Sequence, residues 1–215
     1  MTLLYLVRHG ETDWNRARRI QGSTDIPLNE LGRSQAVDAG ELLARRPFDL
    51  VAASPLSRAL ETGGIIAARL GLPEPVVIPA LVERNYGVAE GLTGAEIETR
   101  FPAGAEVPGR ESVEVLVDRV VDGLIEVARL APGGSAVVAT HGAVIRAVVT
   151  TIAPDLDLDQ HRGVFIRNGS IHTLRIDDDG LTLVHFDDPI EAVSDAPGRF
   201  DFGYQNALER EGGGA

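Results

Sequence analysis

Short apolar runs alternate with amphipathic segments along most of the chain. The runs at 3–7 and 136–139 are continuously apolar, as expected of strands that are buried on both faces of a sheet. Shorter runs at 49–53 and 76–78 predict two more strands. Between the runs lie segments whose apolar residues recur with helical spacing, such as Leu31 to Arg45. The alternation predicts a three-layer α/β fold, with a mainly parallel sheet and helices on both of its faces.

Capping residues predict where some of the helices begin and end. Thr93 and Glu96 have the spacing of a capping box, which predicts the start of a short helix. Ser54 followed by Pro55 is typical of an N-cap with proline in the first turn. A helix should therefore begin at Ser54 and end at Gly71, where glycine can adopt the left-handed conformation of a C-cap.

The C-terminal part of the chain has a different pattern. Two runs at 171–176 and 181–185 flank an Asp-Asp-Asp-Gly turn, which predicts a hairpin that closes the sheet with an antiparallel edge. The sequence after Asp187 is rich in Pro, Gly and acidic residues. We therefore predict a single domain over residues 1–190, followed by a partly disordered tail over residues 191–215.

The charged residues restrict the chemistry that this chain can perform. All 20 cations are Arg, against 32 Asp and Glu, and the chain has neither Lys nor Cys. Without Lys there is no Schiff base to pyridoxal phosphate and no Walker A lysine. Without Cys there is no thiolate nucleophile and no cysteine-ligated metal. The formal charge of −12 argues against nucleic acid as a partner, because a phosphate backbone selects for a basic surface.

Targeting and metal signals are also missing from the sequence. The first eight residues have no basic region ahead of a long apolar stretch, so we expect a cytoplasmic protein with no membrane contact. The acidic stretch at 155–159 imitates the start of a calcium loop, but Gln160 and Ile166 stand where such a loop needs Gly and Glu, so we predict no metal site. The sequence leaves the oligomeric state open, with a homodimer as one possibility.

Polar groups follow four of the predicted strands directly. They are Arg8-His9-Gly10, Ser54-Pro55 with Arg58 one turn later, Glu83-Arg84, and His141-Gly142. Because the carboxyl ends of parallel strands meet at one edge of a sheet, these groups should form a single pocket. The Arg side chains match the oxygens of a phosphate, a neutral imidazole can attack phosphorus, and a carboxylic acid can protonate the leaving oxygen. Such a pocket predicts phosphoryl transfer without a metal ion.

Four ordered motifs give this pocket a family resemblance. Leu6-Val-Arg-His-Gly-Glu-Thr12 closely resembles the opening motif of the histidine phosphatase superfamily, the phosphoglycerate mutase-like proteins. Three further blocks match in the expected order: Ser54-Pro-Leu-Ser-Arg-Ala59, Glu83-Arg-Asn-Tyr-Gly87 with Glu90-Gly-Leu-Thr93, and Thr140-His-Gly142. The resemblance spans about residues 3 to 185 and implies a phosphoglycerate mutase-like fold.

The resemblance also implies a role for each matching residue. His9 would accept the phosphoryl group, Glu83 would donate the proton, and Arg8, Arg58 and His141 would complete the catalytic phosphate pocket. The residues expected to bind the substrate are Asn15, Gln21, Gly22, Ser23, Arg84, Tyr86 and Gly142. No cofactor is implied for hydrolysis, and the partner would be a small phosphorylated substrate.

Two activities remain open within this family. Arg84 and Tyr86 match cofactor-dependent phosphoglycerate mutases, which would require 2,3-bisphosphoglycerate. Three departures favour a broad-specificity acid phosphatase instead. Gly94 replaces a substrate-binding Lys of the mutases, and the insertion that follows this Lys in the mutases is missing here. Ala143 replaces an Asn of the mutases. We therefore predict a phosphomonoester hydrolase, with the mutase as the alternative. A phospho-ligand binding protein on the same scaffold is a third, more remote possibility.

Overall fold

The computed structural model describes residues 1–154, 156 and 166–188. The predicted tail over 191–215 lies outside the described residues, and so does most of the stretch that imitates a calcium loop. The prediction of a single domain over 1–190 stays a prediction.

Strands and helices alternate along the described part of the chain, as the apolar pattern predicts. The strands are β1 (Thr2–Arg8), β2 (Leu50–Ala53), β3 (Val76–Val77), β4 (Ser135–Thr140), β5 (Ile171–Asp177) and β6 (Gly180–His185). The α-helices are α1 (Asp13–Arg16), α2 (Glu30–Leu43), α3 (Ser57–Leu70), α4 (Gly94–Arg100), α5 (Val113–Leu130) and α6 (Gly142–Ile152). Two short 3₁₀ turns, Pro79–Leu81 and Gly87–Ala89, follow β3.

The strands form one mixed sheet in the order β3-β2-β4-β1-β5-β6. Strands β1, β2, β3 and β4 pair in parallel, whereas β5 is antiparallel to both β1 and β6. This confirms the predicted parallel sheet with an antiparallel edge hairpin. The register places Arg8 beside Thr140 and Ala53 beside Ala139, so the carboxyl ends of β1, β4 and β2 lie at the same height.

Alternate residues of the central strands enter two separate apolar cores. Tyr5 and Val7 of β1 pack with residues of α2 and α3 on one face of the sheet. Leu4 and Leu6 pack with residues of α5 and α6 on the other face. Because side chains alternate between the faces of a strand, a continuous apolar run fills both cores at once. The layered arrangement of a sheet between two pairs of helices is therefore confirmed.

Most of the predicted helix ends are confirmed, but one is wrong. Thr93 and Glu96 form the capping box of α4, and Gly71 ends α3 in the left-handed conformation. However, α3 begins at Ser57 rather than at Ser54, and its N-cap residue, Leu56, makes no side-chain capping bond.

Contacts with distant segments explain the later start of α3. The Ser57 backbone N–H and hydroxyl both donate to Oδ1 of Asp25, which lies in the loop after α1. Ser54 is bound elsewhere, because its Oγ lies 2.7 Å from Nε2 of His141. Asp25 thus provides the acceptor that an N-cap side chain would otherwise supply.

A very close backbone approach joins the end of β1 to the start of α2. A Cβ on Gly32, the third residue of α2, would lie 2.1 Å from the carbonyl oxygen of Glu11. A Cβ on Gly10 would lie 2.1 Å from the carbonyl oxygen of Gly32. Both distances are far below van der Waals contact, so this approach requires glycine at both positions.

Gly32→Ala should destabilise the protein, because the backbone beside His9 must move to admit the methyl group. We expect the free energy of unfolding in urea to fall by about 3 kcal/mol. Gly64→Ala in α3 is the matched control, since its new Cβ would have no atom nearer than 3.8 Å. That variant should be neutral or up to about 1 kcal/mol more stable. Equal stability of the two variants would contradict the prediction.

Candidate active site

His9 lies directly after β1 and is almost completely buried. Its Nδ1 lies 2.7 Å from the carbonyl oxygen of Gly10. A carbonyl can only accept, so Nδ1 carries the hydrogen and Nε2 of the neutral ring keeps its lone pair. Burial lowers the pKa of His9 well below its ordinary value, and the charges of Arg58 and Arg8 lower it further. The ring is therefore neutral and nucleophilic near neutral pH.

The two arginines beside His9 come from different elements and are both buried. Arg8 is the last residue of β1, and Arg58 lies in the first turn of α3. The Arg58 guanidinium is held by two carbonyls, since Nη1 donates to Thr24 at 2.9 Å and Nη2 to Gly22 at 2.7 Å. Burial lowers the pKa of Arg58 to about 10, so it remains a cation at neutral pH.

His141 supplies a second buried imidazole at the carboxyl end of β4. Its ring centroid lies 5.3 Å from that of His9, with the two rings inclined at 61°. The Ser54 hydroxyl, 2.7 Å from Nε2, fixes the orientation of the ring. Burial is the main cause that lowers the pKa of His141 well below its ordinary value, followed by the charge of Arg58. His141 is thus a neutral hydrogen-bonding group at the edge of the pocket.

Glu83 brings a carboxyl group into the same buried region. Its Oε1 accepts from the backbone N–H of Arg84 at 2.9 Å, and its Oε2 accepts from that of Ala143 at 3.3 Å. Burial raises the pKa of Glu83 above its ordinary value, although these hydrogen bonds and the charge of Arg58 oppose the rise. A carboxyl group that holds its proton to higher pH can act as a general acid.

Several buried nitrogen atoms of the pocket have no partner among the described residues. They are Nε of Arg58, Nδ1 of His141 and Nδ2 of Asn15. Asn15 is tied to the pocket through Asn168, whose amide donates to the His9 carbonyl at 2.8 Å and to Asn15 Oδ1 at 3.4 Å. A buried donor without a partner is costly, so the N–H groups of Arg58 and Asn15 favour an anionic ligand with several acceptor oxygens. Nδ1 of His141 is a third such donor in the tautomer whose Nε2 accepts from the Ser54 hydroxyl. A phosphate group is such a ligand.

The loop with the predicted substrate residues Gln21, Gly22 and Ser23 is held by the carboxylate of Glu90. Oε1 of Glu90 accepts from the N–H and hydroxyl of Ser23 at 2.9 and 3.0 Å, and from the N–H of Tyr86 at 3.1 Å. Oε2 accepts from the N–H and hydroxyl of Thr24. Both donors of Ser23 are thus occupied, and its role in binding substrate stays a prediction.

The glycine of this loop is also explained by Glu90. Gly22 has φ +57°, and a Cβ there would lie 2.1 Å from Glu90 Oε1. The neighbouring Gln21 is buried, and its Oε1 accepts from the Thr12 hydroxyl at 2.9 Å. These contacts hold the loop in place, and the carbonyl groups of Gly22 and Thr24 in this loop accept hydrogen bonds from the Arg58 guanidinium.

The remaining predicted residues lie beside this pocket. Arg84 is buried, its Nε donates to the Glu111 carbonyl at 2.9 Å, and its guanidinium carbon lies 5.6 Å from the Tyr86 ring centroid. Gly142 begins α6, and a Cβ there would lie 3.3 Å from Nε of Arg8. The structure therefore brings Gly142 against the phosphate-side cations, and it places Arg84 and Tyr86 together next to Glu83.

Three residues that hold the pocket in shape were not predicted from the sequence. Glu90 belongs to the Glu90-Gly-Leu-Thr93 motif, but the motif gave it no role. Thr62 joins the two halves of the pocket, because its hydroxyl accepts from the Gly10 N–H at 3.1 Å and donates to the Arg58 carbonyl at 2.7 Å. Arg119 of α5 binds the backbone before Glu83. Nothing in the local sequence points to Thr62 or to Arg119.

A third buried histidine lies outside the pocket, on β5. Nδ1 of His172 accepts from the backbone N–H of Asp187 at 3.1 Å, so the ring hydrogen is on Nε2, which lies 2.9 Å from the Ser170 hydroxyl. Burial, with a contribution from the charge of Arg167, lowers the pKa of His172 to about 4. In the unfolded chain an imidazole has a pKa of about 6.5.

His172→Gln should therefore flatten the dependence of stability on pH. Between pH 6.5 and about 4 the unfolded chain binds a proton at this position that the folded chain does not, so stability falls as the pH falls. For each unit by which the pH falls in this range, the free energy of unfolding should fall by about 1.4 kcal/mol more in the parent protein than in the variant. Urea unfolding at several pH values measures this slope. His185→Gln, at an exposed position of β6, is the control and should keep the slope of the parent.

The described residues form neither a membrane-spanning helix nor a metal-binding group. No helix in this part of the chain is long and apolar enough to cross a membrane. No group of three or more His, Asp or Glu side chains there is arranged to hold a metal ion.

Known proteins with similar sequences are phosphatases and mutases. The phosphatase PhoE of Bacillus subtilis, described as uncharacterized, is 42% identical over 153 residues, covering 71% of this chain and 78% of its own. A metal-independent phosphoserine phosphatase of Arabidopsis thaliana is 41% identical over 165 residues, covering 71% and 69%. A 2,3-bisphosphoglycerate-dependent phosphoglycerate mutase of Gloeobacter violaceus is 36% identical over 165 residues, covering 69% and 74%.

A solved structure and a family-wide comparison agree with these relatives. The mycobacterial glucosyl-3-phosphoglycerate phosphatase superposes with a TM-score of 0.70 at 31% identity, covering 80% of this chain and 92% of its own. The predicted phosphoglycerate mutase-like fold is thereby confirmed. The sequence model of the histidine phosphatase superfamily (branch 1) matches residues 4–189, and the chain belongs to this superfamily.

Proposed function

We propose that this chain is a metal-independent phosphomonoester hydrolase that forms a phosphohistidine at His9 and acts on a small phosphorylated metabolite. The observation that carries the proposal is the state of His9. Its Nδ1–H is held by the Gly10 carbonyl, and burial together with the two arginines keeps the imidazole neutral. Nε2 is thus a nucleophile placed among cations that favour a phosphate group.

In the first step, Nε2 of His9 attacks phosphorus and the bond from phosphorus to the ester oxygen breaks. The carboxyl group of Glu83 gives its proton to that oxygen, so the product leaves as an alcohol. Arg8 and Arg58 stabilise the charge on the three remaining oxygens, which is the main catalytic requirement of a loose phosphoryl-transfer transition state. The neutral His141 and Asn15 donate further hydrogen bonds to the same oxygens.

In the second step, water attacks the phosphohistidine. The Glu83 carboxylate accepts a proton from the water as the new P–O bond forms, and the electron pair of the breaking N–P bond returns to Nε2. Inorganic phosphate leaves, and both His9 and Glu83 regain their starting states. The pKa of Glu83, raised by burial, favours the protonated form that the next cycle needs.

Hydrolysis is favoured over the mutase reaction by the residues around this centre. A mutase holds its phosphorylated intermediate for transfer back to a second hydroxyl, and Gly94 and Ala143 remove two side chains that the mutase pattern would use. The names of the two most similar relatives given above support the same choice. The mutase remains the second candidate because Arg84 and Tyr86, which match it, lie together beside Glu83.

One assay separates the candidates. The purified chain is given 4-nitrophenyl phosphate, and separately 3-phosphoglycerate with and without 2,3-bisphosphoglycerate, all in excess EDTA. We expect phosphate release from the aryl ester at a rate that EDTA does not change, and no more 2-phosphoglycerate than phosphate from the second substrate. Interconversion that depends on the bisphosphate and exceeds phosphate release would instead establish a mutase. Binding of phosphate with no turnover would indicate a binding protein.

A further inference from the structure

Four consecutive carbonyl groups lead up to and include that of Glu83, and each accepts a hydrogen bond from a distant side chain. Arg119 of α5 binds three of them: Nη1 donates to Ala80 and Val82, both at 2.7 Å, and Nη2 donates to Glu83 at 3.2 Å. The carbonyl of Leu81 accepts from the Thr140 hydroxyl at 3.0 Å. The backbone before the carboxyl group is thus fixed to α5 and to the end of β4.

The orientation of Arg119 is set by Glu111. Nε and Nη2 of Arg119 donate to the two carboxylate oxygens of Glu111 at 2.7 and 2.9 Å. Together with the three bonds to carbonyl groups, these bonds use all five guanidinium hydrogens of Arg119. Only 25% of the Arg119 side chain and 13% of the Glu111 side chain are exposed, which limits screening by solvent. Glu111 is itself tied to the segment after Glu83, because its N–H donates to the Asn85 carbonyl at 2.8 Å.

The Glu111 carboxylate stays ionised to a lower pH than an ordinary glutamate. Burial alone would raise the pKa of Glu111, but the hydrogen bonds and charge of Arg119 outweigh burial and lower it, with a smaller contribution from the Asn85 N–H. The pKa of Glu83 is raised. At a pH between the two values, Glu83 is protonated while Glu111 still holds Arg119 as an anion.

We propose that Arg119, oriented by Glu111, is a positioning residue for the proton donor. It fixes the backbone of residues 80–83 and thereby the place from which the Glu83 carboxyl group meets the leaving oxygen. The inference rests on the proposed function, because it takes Glu83 as the acid. None of the five hydrogen bonds of Arg119 goes to Arg8, His9, Arg58 or His141. Its charge is the smallest of the causes that lower the pKa of His141, so its main effect on the pocket is through the backbone that carries Glu83.

Loss of acid positioning has a signature that a general loss of structure does not have. The leaving group of an alkyl phosphate is a basic alkoxide, which needs a proton to depart. The leaving group of 2,4-dinitrophenyl phosphate is a weakly basic phenolate, which departs without one. Arg119→Gln should therefore lower kcat/KM for propyl phosphate about ten- to hundredfold, because kcat/KM reports formation of the phosphoenzyme and excludes the later attack of water, in which Glu83 acts as a base. For 2,4-dinitrophenyl phosphate the loss should stay below about threefold. Arg119→Lys keeps a charged donor near the carbonyls and should recover part of the activity.

Matched variants separate this inference from the proposed function. Glu83→Gln removes the proton donor and should cause the full loss of rate on propyl phosphate. Adding Arg119→Gln to that variant should cause no further loss of rate. Arg129→Gln, at an exposed position of the same helix, should change neither ester. If Glu83→Gln lowers kcat/KM for both esters equally, the acid assigned in the proposed function is wrong.

The inference is overturned if Arg119→Gln folds and slows both esters equally while Glu83→Gln remains selective. Circular dichroism and the melting temperature establish whether the variant folds. Should it fail to fold, Glu111→Gln provides the test, because it preserves the side-chain volume and weakens the ion pair with Arg119, together with the longer contact from the Asn85 N–H. Selective loss on propyl phosphate in Glu111→Gln supports the inference, and equal loss or no loss on the two esters contradicts it.

Discussion

Asparagine in place of His9 is expected to lower phosphatase turnover by about 10⁴-fold or more and to abolish the phosphoenzyme. The asparagine amide can still donate to the Gly10 carbonyl, but it has no basic lone pair with which to bond to phosphorus. The fold should survive, because the backbone of residue 9 keeps its hydrogen bonds to Thr140 and Asn168. A loss of activity can therefore be assigned to the missing nucleophile.

The phosphoenzyme is the decisive measurement for this variant. Rapid quenching of the protein with a radiolabelled aryl phosphate should trap label that is stable in alkali and lost in acid, as expected of a phosphorus–nitrogen bond. His141→Asn is the informative control, since it removes the second imidazole and should slow labelling without preventing it. Label that persists in His9→Asn and keeps the same acid lability would place the phosphoryl group on another residue.

The spatial grouping of the candidate site residues could be predicted from the sequence because of a general property of parallel sheets. Arg8-His9 and His141 stand at the ends of β1 and β4, and Glu83 follows β3 after the 3₁₀ turn Pro79–Leu81. Parallel pairing in register brings the carboxyl ends of β1 and β4 together, and with them the two histidine rings. The apolar pattern thus carries the positional information, and the polar residues after each run carry the chemistry.

The misplaced start of α3 is caused by competition from tertiary contacts. Ser54 has every local property of an N-cap, but its hydroxyl binds His141 and Asp25 caps α3 in its place. Local sequence describes what a side chain can bind, and the fold decides which partner it meets. The four-residue helix α1 was missed for a different reason, because it is too short for a periodic apolar pattern.

The positioning residues could not have been predicted at all from local pattern. Glu90 and Arg119 are charged residues that the sequence alone would place on a solvated surface. In the fold, each binds several backbone groups of a loop that carries pocket residues: Glu90 binds the loop at 22–24, and Arg119 binds the segment at 80–83. These contacts join residues between 36 and 67 positions apart, and no spacing rule relates them.

The chain is acidic overall, yet its proposed pocket depends on positive charge. Arg8 and Arg58 are buried beside His9, where low solvent exposure strengthens their effect on a phosphate group. Of these two, Arg58 contributes more to lowering the pKa of His9. Arg58 should therefore serve two purposes, stabilising the transferred phosphoryl group and keeping the nucleophile unprotonated.

Arg58→Met is expected to reduce kcat/KM for an aryl phosphate by about 10³-fold at neutral pH, since it removes a preorganised cation from the phosphate oxygens. The loss should grow as the pH falls. Without the charge of Arg58 the pKa of His9 rises, so a larger share of the imidazole is protonated at a given acidic pH and has no lone pair for attack. The acidic limb of the kcat/KM profile should therefore move to higher pH.

Two variants show whether charge or geometry is responsible. Arg58→Lys keeps the cation but cannot donate to the Gly22 and Thr24 carbonyls with the same planar fork, so it should lose rate while its acidic limb stays near that of the parent. Arg69→Met removes an exposed cation from the last turn of the same helix, where it pairs with Glu41, and should alter neither rate nor profile. An acidic limb that stays in place in Arg58→Met would mean that burial and Arg8 keep His9 neutral without Arg58, and that Arg58 acts only on the phosphoryl group.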